Sequence, residues 1–299
     1  MVLCPSARRY NPTIIPNRRI LAAAAFLLLQ AACVSDQAVQ KFAKDAKRAS
    51  ELLPRAAAIP FDACVEQHVY QQVNSADRTI TDRAAAAQAC TASAETRVGM
   101  VEEYAVVGRY MSLLGKLASR SSPEADSPGK STASPTASTA IEDSTTADST
   151  RQSAIAGLNG AMASMYLRAR SGTALREAIT AADPHVQALC ALFQTQILRA
   201  SLLSLDNQEA ALRALYSDTA APGPLRLILY RQFESELARI QEKRELARLY
   251  AALLSTIAKT HAELYASRDR LRSRGTLEQI AQDAGSLGEE VEAIERLTK

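Results

Sequence analysis

Residues 239–271, RIQEKRELARLYAALLSTIAKTHAELYASRDRL, decide the fold class. Leu246, Tyr250, Leu253, Ile257, Leu264 and Leu271 recur at intervals of three, four and seven, flanked by charges such as Arg239, Glu242, Lys243, Arg244, Glu245 and Arg248. That spacing lines one stripe of an α-helix with apolar groups, and it does not suit a strand, whose faces alternate every second residue. Pro222-Gly223-Pro224 stops any helix on one side and Gly275 on the other, which predicts a helix over about 225–273, a rod of roughly 70 Å at 1.5 Å per residue. A narrow stripe of this kind is buried only by a second helix, in an antiparallel hairpin or on another chain.

The same period extends outward. The capping pair Thr276 and Gln279 opens a final helix to about 297. Upstream, Ile155, Leu158, Met162, Tyr166, Leu175 and Ile179 mark a helix that loosens near Ser171-Gly172, and Asp183-Pro184 reads as the start of another, with Val186, Leu189, Phe193 and Ile197 inward. Earlier still, Val39, Phe42, Ala46, Ala49 and Leu52 or Leu53 mark a helix over about 36–58. Pro54 should bend or end it, and Pro60 with Asp62 should open a new helix over 62–75. A further helix runs from Thr81 to about 119 through Val98, Val101, Val107, Met111 and Leu114. The expectation is an all-α protein, an elongated antiparallel bundle of coiled-coil hairpins. Residues 120–151, dominated by Ser, Thr, Ala, Pro and Asp, lack the apolar side chains to offset ordering entropy and read as a disordered insert between helical parts at 33–119 and 152–299.

The chain has 299 residues with a formal net charge of +3. Residues 1–32 hold Arg8, Arg9, Arg18 and Arg19 and no acid, so without them 31 bases face 32 acids. A nucleic-acid partner therefore lacks its electrostatic warrant. Those arginines precede an uncharged run, Ile20–Leu29, shorter than the roughly 20 residues of a permanent span, and it reads as the apolar core of a signal segment over 1–32.

The run closes on Gln30-Ala31-Ala32-Cys33. This resembles the lipobox of bacterial lipoproteins, in which the cysteine is lipidated and becomes the first mature residue. Gln30 stands where that pattern usually has Leu, with Leu29 displaced by one. The resemblance implies Cys33 as lipid anchor. With Val34 and Ser35 next and no Asp beside the anchor, it also implies the periplasmic face of the outer membrane.

Cys64 and Cys90 are equidistant from residue 77, inside the turn-like stretch Asn74–Thr79. Folded as a hairpin about that turn, they stand at equal height, which permits a disulfide if their Cα atoms come within about 7 Å. Closing a loop of that length stabilises by roughly 3 kcal/mol in the chain-entropy model. The competing arrangement is a metal site, with Cys64 and His68 on one helix face and Cys90 as third ligand. Cys190, between Leu189 and Phe193, reads as a buried thiol, His261 as a histidine near the apolar seam, and His185 as solvent-facing.

No His-Glu-x-x-His, Gly-x-Ser-x-Gly, Gly-x-Gly-x-x-Gly or Cys-x-x-Cys occurs, and no histidine has Glu three positions before it. No catalytic residues and no cofactor are therefore assigned. The expected role is a non-enzymatic structural or interaction protein of the envelope, tethered to the membrane through Cys33. Its amphipathic helices would meet another envelope protein or a second copy. The alternative is a helical protein binding a metal or small apolar ligand between helices, with His68 and His261 as candidate ligand-binding side chains.

Overall fold

The computed structural model describes residues 18–74, 82–119, 145–168, 173–217, 223–270 and 274–298. Side chains before Gln37 fall outside that description, so the acylation expected at Cys33 lies outside the described residues, as does the insert over 120–144. Among the described residues there are seven helices and no strand: α1 Arg18–Asn74, α2 Arg83–Ala89, α3 Thr91–Ala118, α4 Thr145–Arg168, α5 Ala174–Ser217, α6 Gly223–Ala266 and α7 Arg274–Leu297. Helix α4 begins at Thr145, inside the stretch expected to be insert.

The prolines are the main correction to the expected boundaries. Helix α1 runs unbroken through Pro54 and Pro60, and α5 through Pro184. An interior proline costs about 3 kcal/mol, because it removes a backbone donor and crowds the carbonyl four residues back. Burial on both sides offsets that cost here. Leu53, Ala56, Ala57, Ile59, Ala63 and Val65 are all buried along α1, and Ala178, Ile179, Ala182, Val186 and Leu189 along α5, where a large aliphatic side chain contributes about 1.5–3 kcal/mol. Pro54 and Pro184 are exposed, which leaves the carbonyls freed at Ser50 and Thr180 on the half-exposed or exposed side of their helices.

Other ends shift for local reasons. Asp82 caps α2 by accepting from the Ala84 amide at 2.8 Å. The helix expected from Thr81 to 119 breaks once, at Cys90, whose φ of −101° and ψ of 19° interrupt the helical run between α2 and α3. Helix α6 ends at Ala266, short of 273. There the Arg268 guanidinium donates to the Tyr265 carbonyl at 2.8 Å and stacks over the Tyr265 ring. Gly275 lies within α7, and the Gln279 amide donates to Asp283 at 3.1 Å.

Pairwise contacts set the directions. Gln40 donates to the Ala118 carbonyl while Ser50 meets Gly108, so α1 and α3 are antiparallel. Tyr250 donates to the Leu52 carbonyl and Tyr70 to Glu236, so α1 and α6 are antiparallel too. Gln187 donates to the Ala258 carbonyl, and Asp206 and Glu209 pair with Arg244, giving an antiparallel α5–α6 hairpin. Helix α7 runs parallel to α1, tied by Lys41 to the Ala284 carbonyl and by Arg48 to Glu295, both at 2.8 Å.

The main core is filled by aliphatic side chains and few aromatics, with Tyr104 edge-on to Phe193 at 5.2 Å. Between α1 and α3 the seam is made of small residues. A methyl group at Gly115 would sit 3.3 Å from Ala43 Cβ, and one at Gly108 would collide with Ser50, seven residues along on each helix. Helix α5 is long and apolar enough to cross a membrane by length and composition. In the bundle it packs against α1, α3, α4 and α6.

Candidate functional site

A buried polar chain lies where α3, α5 and α6 meet. His261 on α6 and Tyr110 on α3 are fully buried. Tyr110 Oη lies 2.8 Å from His261 Nε2, and His261 Nδ1 lies 2.9 Å from Asp183 Oδ1 on α5. Gln187, one turn beyond Asp183, donates to the same carboxylate at 3.2 Å and to the Ala258 carbonyl at 2.7 Å. Burial pushes the Asp183 carboxyl up, but the hydrogen bonds donated by His261 and Gln187 outweigh it and hold the group below its ordinary value. An ionised carboxylate only accepts, so the Nδ1 facing Asp183 carries a proton, and Nε2 meets the Tyr110 hydroxyl.

The order Asp–His–hydroxyl is also that of a nucleophile activated by a base. Chemistry there requires a reacting group to approach the hydroxyl, and Tyr110 has no exposed surface. Burial and the nearby Asp183 charge both push its ionisation upward, away from a phenolate. The arrangement acts as a polar clamp joining three helices. Sequence reasoning placed His261 beside the seam but read Asp183 as a helix cap and passed over Tyr110. The partners lie 78 and 151 residues from His261, beyond any local spacing rule.

The second cluster stands on α1 and at the α2–α3 break. Cys64 and Cys90 form a disulfide with Cα atoms 6.0 Å apart. His68 lies one turn beyond Cys64, and one of its ring nitrogens and both sulfur atoms lie within 4.8 Å of one another. Phe61, Val65, Val69, Ala86 and Ala87 enclose the bridge. Arg83 pairs with Glu66 at 2.8 Å and ties α2 to α1 independently of it. Cys190 is buried and its thiol is pushed up to about 12 by burial, which removes it as a nucleophile.

His185 does not simply face solvent. Its half-buried ring packs over Gly157 of α4, where an added methyl would collide with the ring. Two surface depressions lie near Ser149, Ser153 and His185, and near Glu263, Ser267 and Gln279, and neither is lined by Cys64, His68 or His261.

A third feature is apolar. Tyr70 near the end of α1 meets Glu236, so residues 223–232 of α6 continue past the α1 terminus. Leu225, Leu227, Ile228 and Tyr230 there are 48–62% exposed, and Val73 at the end of α1 is 46% exposed. Phe233 marks where this overhang rejoins α5, against Tyr216 at 5.2 Å and Arg213.

Among the described residues the protein is an all-α helical bundle with the Cys64–Cys90 disulfide, a buried polar clamp and an exposed apolar end of α6. No family model, no curated protein and no solved structure matches the chain.

Proposed function

We propose that the chain is a non-enzymatic lipoprotein of the bacterial envelope, held by Cys33 at the periplasmic face of the outer membrane and presenting the α5–α6 end of its body to another envelope protein. The supporting observation is the placement of the apolar overhang. Residues 37–74 of α1 span about 55 Å at 1.5 Å per residue, and Leu225, Leu227, Ile228 and Tyr230 lie beyond the far end of that span. An anchor at residue 33 would therefore lie toward the opposite end of α1 from these exposed apolar residues.

The overhang also indicates what it meets. At 100° per residue, Leu225, Leu227, Ile228, Leu229 and Tyr230 distribute around most of the helix, and a helix apolar on most sides is ordinarily covered. The charges among them, Arg226 and Arg231, are both basic. The occupant this suits is an amphipathic helix of another envelope protein, with acidic residues flanking its apolar stripe.

A photo-crosslinking side chain at position 228, used in intact cells, identifies the neighbour, and purified neighbour and chain are then mixed. Binding should weaken with Ile228→Glu, with Arg226→Glu plus Arg231→Glu, and with added salt. Adducts only with lipid or a second copy, or binding indifferent to all three changes, would refute this partner. Mass spectrometry of the mature N-terminus tests the anchor separately. Diacylglycerol on Cys33 is expected, and an unmodified terminus elsewhere removes it.

A further inference from the structure

We infer that the Cys64–Cys90 bridge conceals a metal site, and that in the reduced protein Cys64, Cys90 and His68 bind one soft d10 ion, Zn(II) or Cu(I). The inference is independent of the membrane anchor and of the far-end docking surface.

Three observations carry it. First, the donor atoms are already gathered, with both sulfurs and a His68 ring nitrogen inside 4.8 Å of one another. Around a tetrahedral ion with Zn–S near ~2.3 Å and Zn–N near ~2.0–2.1 Å, ligand atoms stand roughly 3.5–3.8 Å apart. The sulfurs must separate from bonding distance to that spacing, which rotation about their side-chain bonds supplies within a Cα separation of 6.0 Å. Second, Cys90 occupies the non-helical joint between α2 and α3, so its side chain moves without bending a continuous helix. Third, the hairpin has holdfasts besides the bridge. Arg83 pairs with Glu66, Val65 packs on Ala86, and Arg97 stacks over Phe61 at 5.4 Å.

The chemistry fits the donors. Two thiolates and an imidazole form a soft set that selects Zn(II) or Cu(I) over Mg(II) or Ca(II). Three protein ligands also leave one position of a tetrahedral ion for water or a fourth donor. The step balances as follows. A dithiol reductant delivers two electrons and two protons to the Cys64–Cys90 bond and becomes a disulfide itself, giving two thiols. Metal binding then releases the two thiol protons, and the ion keeps its oxidation state. Reoxidation by an incoming disulfide, which accepts the two electrons and takes up two protons to leave as a dithiol, converts both thiolates to the bridge and expels the ion, so the crosslinked and metal-bound states exclude each other.

The full chain is purified, reduced with a phosphine, freed of reductant without oxygen and titrated with Co(II) as a spectroscopic stand-in for zinc. Thiolate-to-cobalt charge-transfer absorption should appear and saturate at one equivalent, be lost on adding Zn(II), and be absent from the oxidised chain. A parallel titration with Cu(I) against a competing chelator identifies the ion held more tightly. His68→Ala should weaken binding by more than the roughly tenfold that loss of an outer-shell partner alone costs, and Cys64→Ser should abolish the charge-transfer band with helical circular dichroism retained. Any of four results overturns the inference: no charge-transfer band in the reduced chain, half an equivalent shared by two chains, affinity unchanged in His68→Ala, or loss of helix on reduction alone.

Discussion

Replacing Gly108 with alanine tests the small-residue seam that sets the spacing of α1 and α3. In an open helix the change is favourable by about 1 kcal/mol, because alanine loses less backbone entropy than glycine. Here the new Cβ would lie close against the Ser50 hydroxyl oxygen and 3.0 Å from Ser50 Cβ. The hydroxyl can rotate away, at the cost of its hydrogen bond to the Lys47 carbonyl at 2.6 Å. Ser50 Cβ is fixed to the α1 backbone, so the helices must part by several tenths of an ångström. That loosens the neighbouring Ala43–Gly115 contact at 3.3 Å. Overpacking of this kind costs about 1–3 kcal/mol, so Gly108→Ala should destabilise by about 1–2 kcal/mol despite its better propensity, a fall in Tm of several degrees. Gly160→Ala, with nothing within 4 Å of its Cβ, should instead stabilise by about 0.5–1 kcal/mol. Adding Ser50→Gly to Gly108→Ala removes the side chain that the new methyl meets and should restore most of the loss. Thermal and urea unfolding followed by circular dichroism read all three. If Gly108→Ala is as stabilising as Gly160→Ala, the close approach of α1 and α3 is wrong.

Three further outcomes follow from the interior. Tyr110→Phe leaves His261 Nε2 buried without its partner and should cost about 1–3 kcal/mol. In a double-mutant cycle with His261→Leu, the two losses should fall short of additivity, and full additivity would dissolve the clamp. Asp183 is held below its unfolded value, so its contribution is fully present above the unfolded carboxylate pKa near ~3.9 and is lost as pH falls through the lower folded value. Acid unfolding of Asp183→Asn should therefore be less steep below about pH 4 than that of the parent chain, and equal slopes would show that Asp183 does not titrate with folding. Reducing the Cys64–Cys90 bridge without metal should lower stability by about 3 kcal/mol through the loop it closes, with helix content retained at low denaturant, and an unchanged urea midpoint would contradict this.

What was legible in the sequence was the repetitive part. The stripe from Leu246 to Leu264 identifies α6 because a three-four spacing admits one periodic structure, and the equal height of Cys64 and Cys90 follows from hairpin arithmetic about residue 77. The prolines misled because their cost is local and its compensation is not. Nothing near Pro54 reveals that Tyr250, almost two hundred residues later, donates to the Leu52 carbonyl. Gly108 and Gly115 were silent for a related reason. A glycine in a helix looks only like a weak point until the opposing Ser50 and Ala43 are known. The exposed overhang of α6 was hidden because Leu225, Leu227 and Ile228 have the composition of core residues, and only the end of α1 near Tyr70 leaves them uncovered.

Those distant polar contacts bear on how a bundle with so many alanines keeps one alignment. Ala38, Ala43, Ala46, Ala49, Ala56, Ala57 and Ala63 make much of the buried face of α1, and an alanine seam slipped by one heptad packs nearly as well as before. Polar ties do not tolerate the slip. Moving α6 by seven residues along α5 would separate His261 from Asp183 and Arg244 from Asp206 and Glu209 together. That would strand a buried imidazole and a guanidinium of which 12% is exposed. Burial raises the Glu209 carboxyl pKa, yet the hydrogen bonds from Arg244 and Arg213 outweigh it and hold the group below its ordinary value, a balance that the slip would undo. Leaving such a polar group without its partner costs roughly 1–3 kcal/mol, a large share of the stability of an ordinary domain. Single polar positions in otherwise apolar seams fix register in coiled coils for the same reason. On α1 the corresponding ties are Lys41 to Ala284 and Arg48 to Glu295, which set α7 along it. The buried polar groups that resemble catalytic machinery therefore have a sufficient role in alignment, and alignment is what fixes the overhang at one end of the rod.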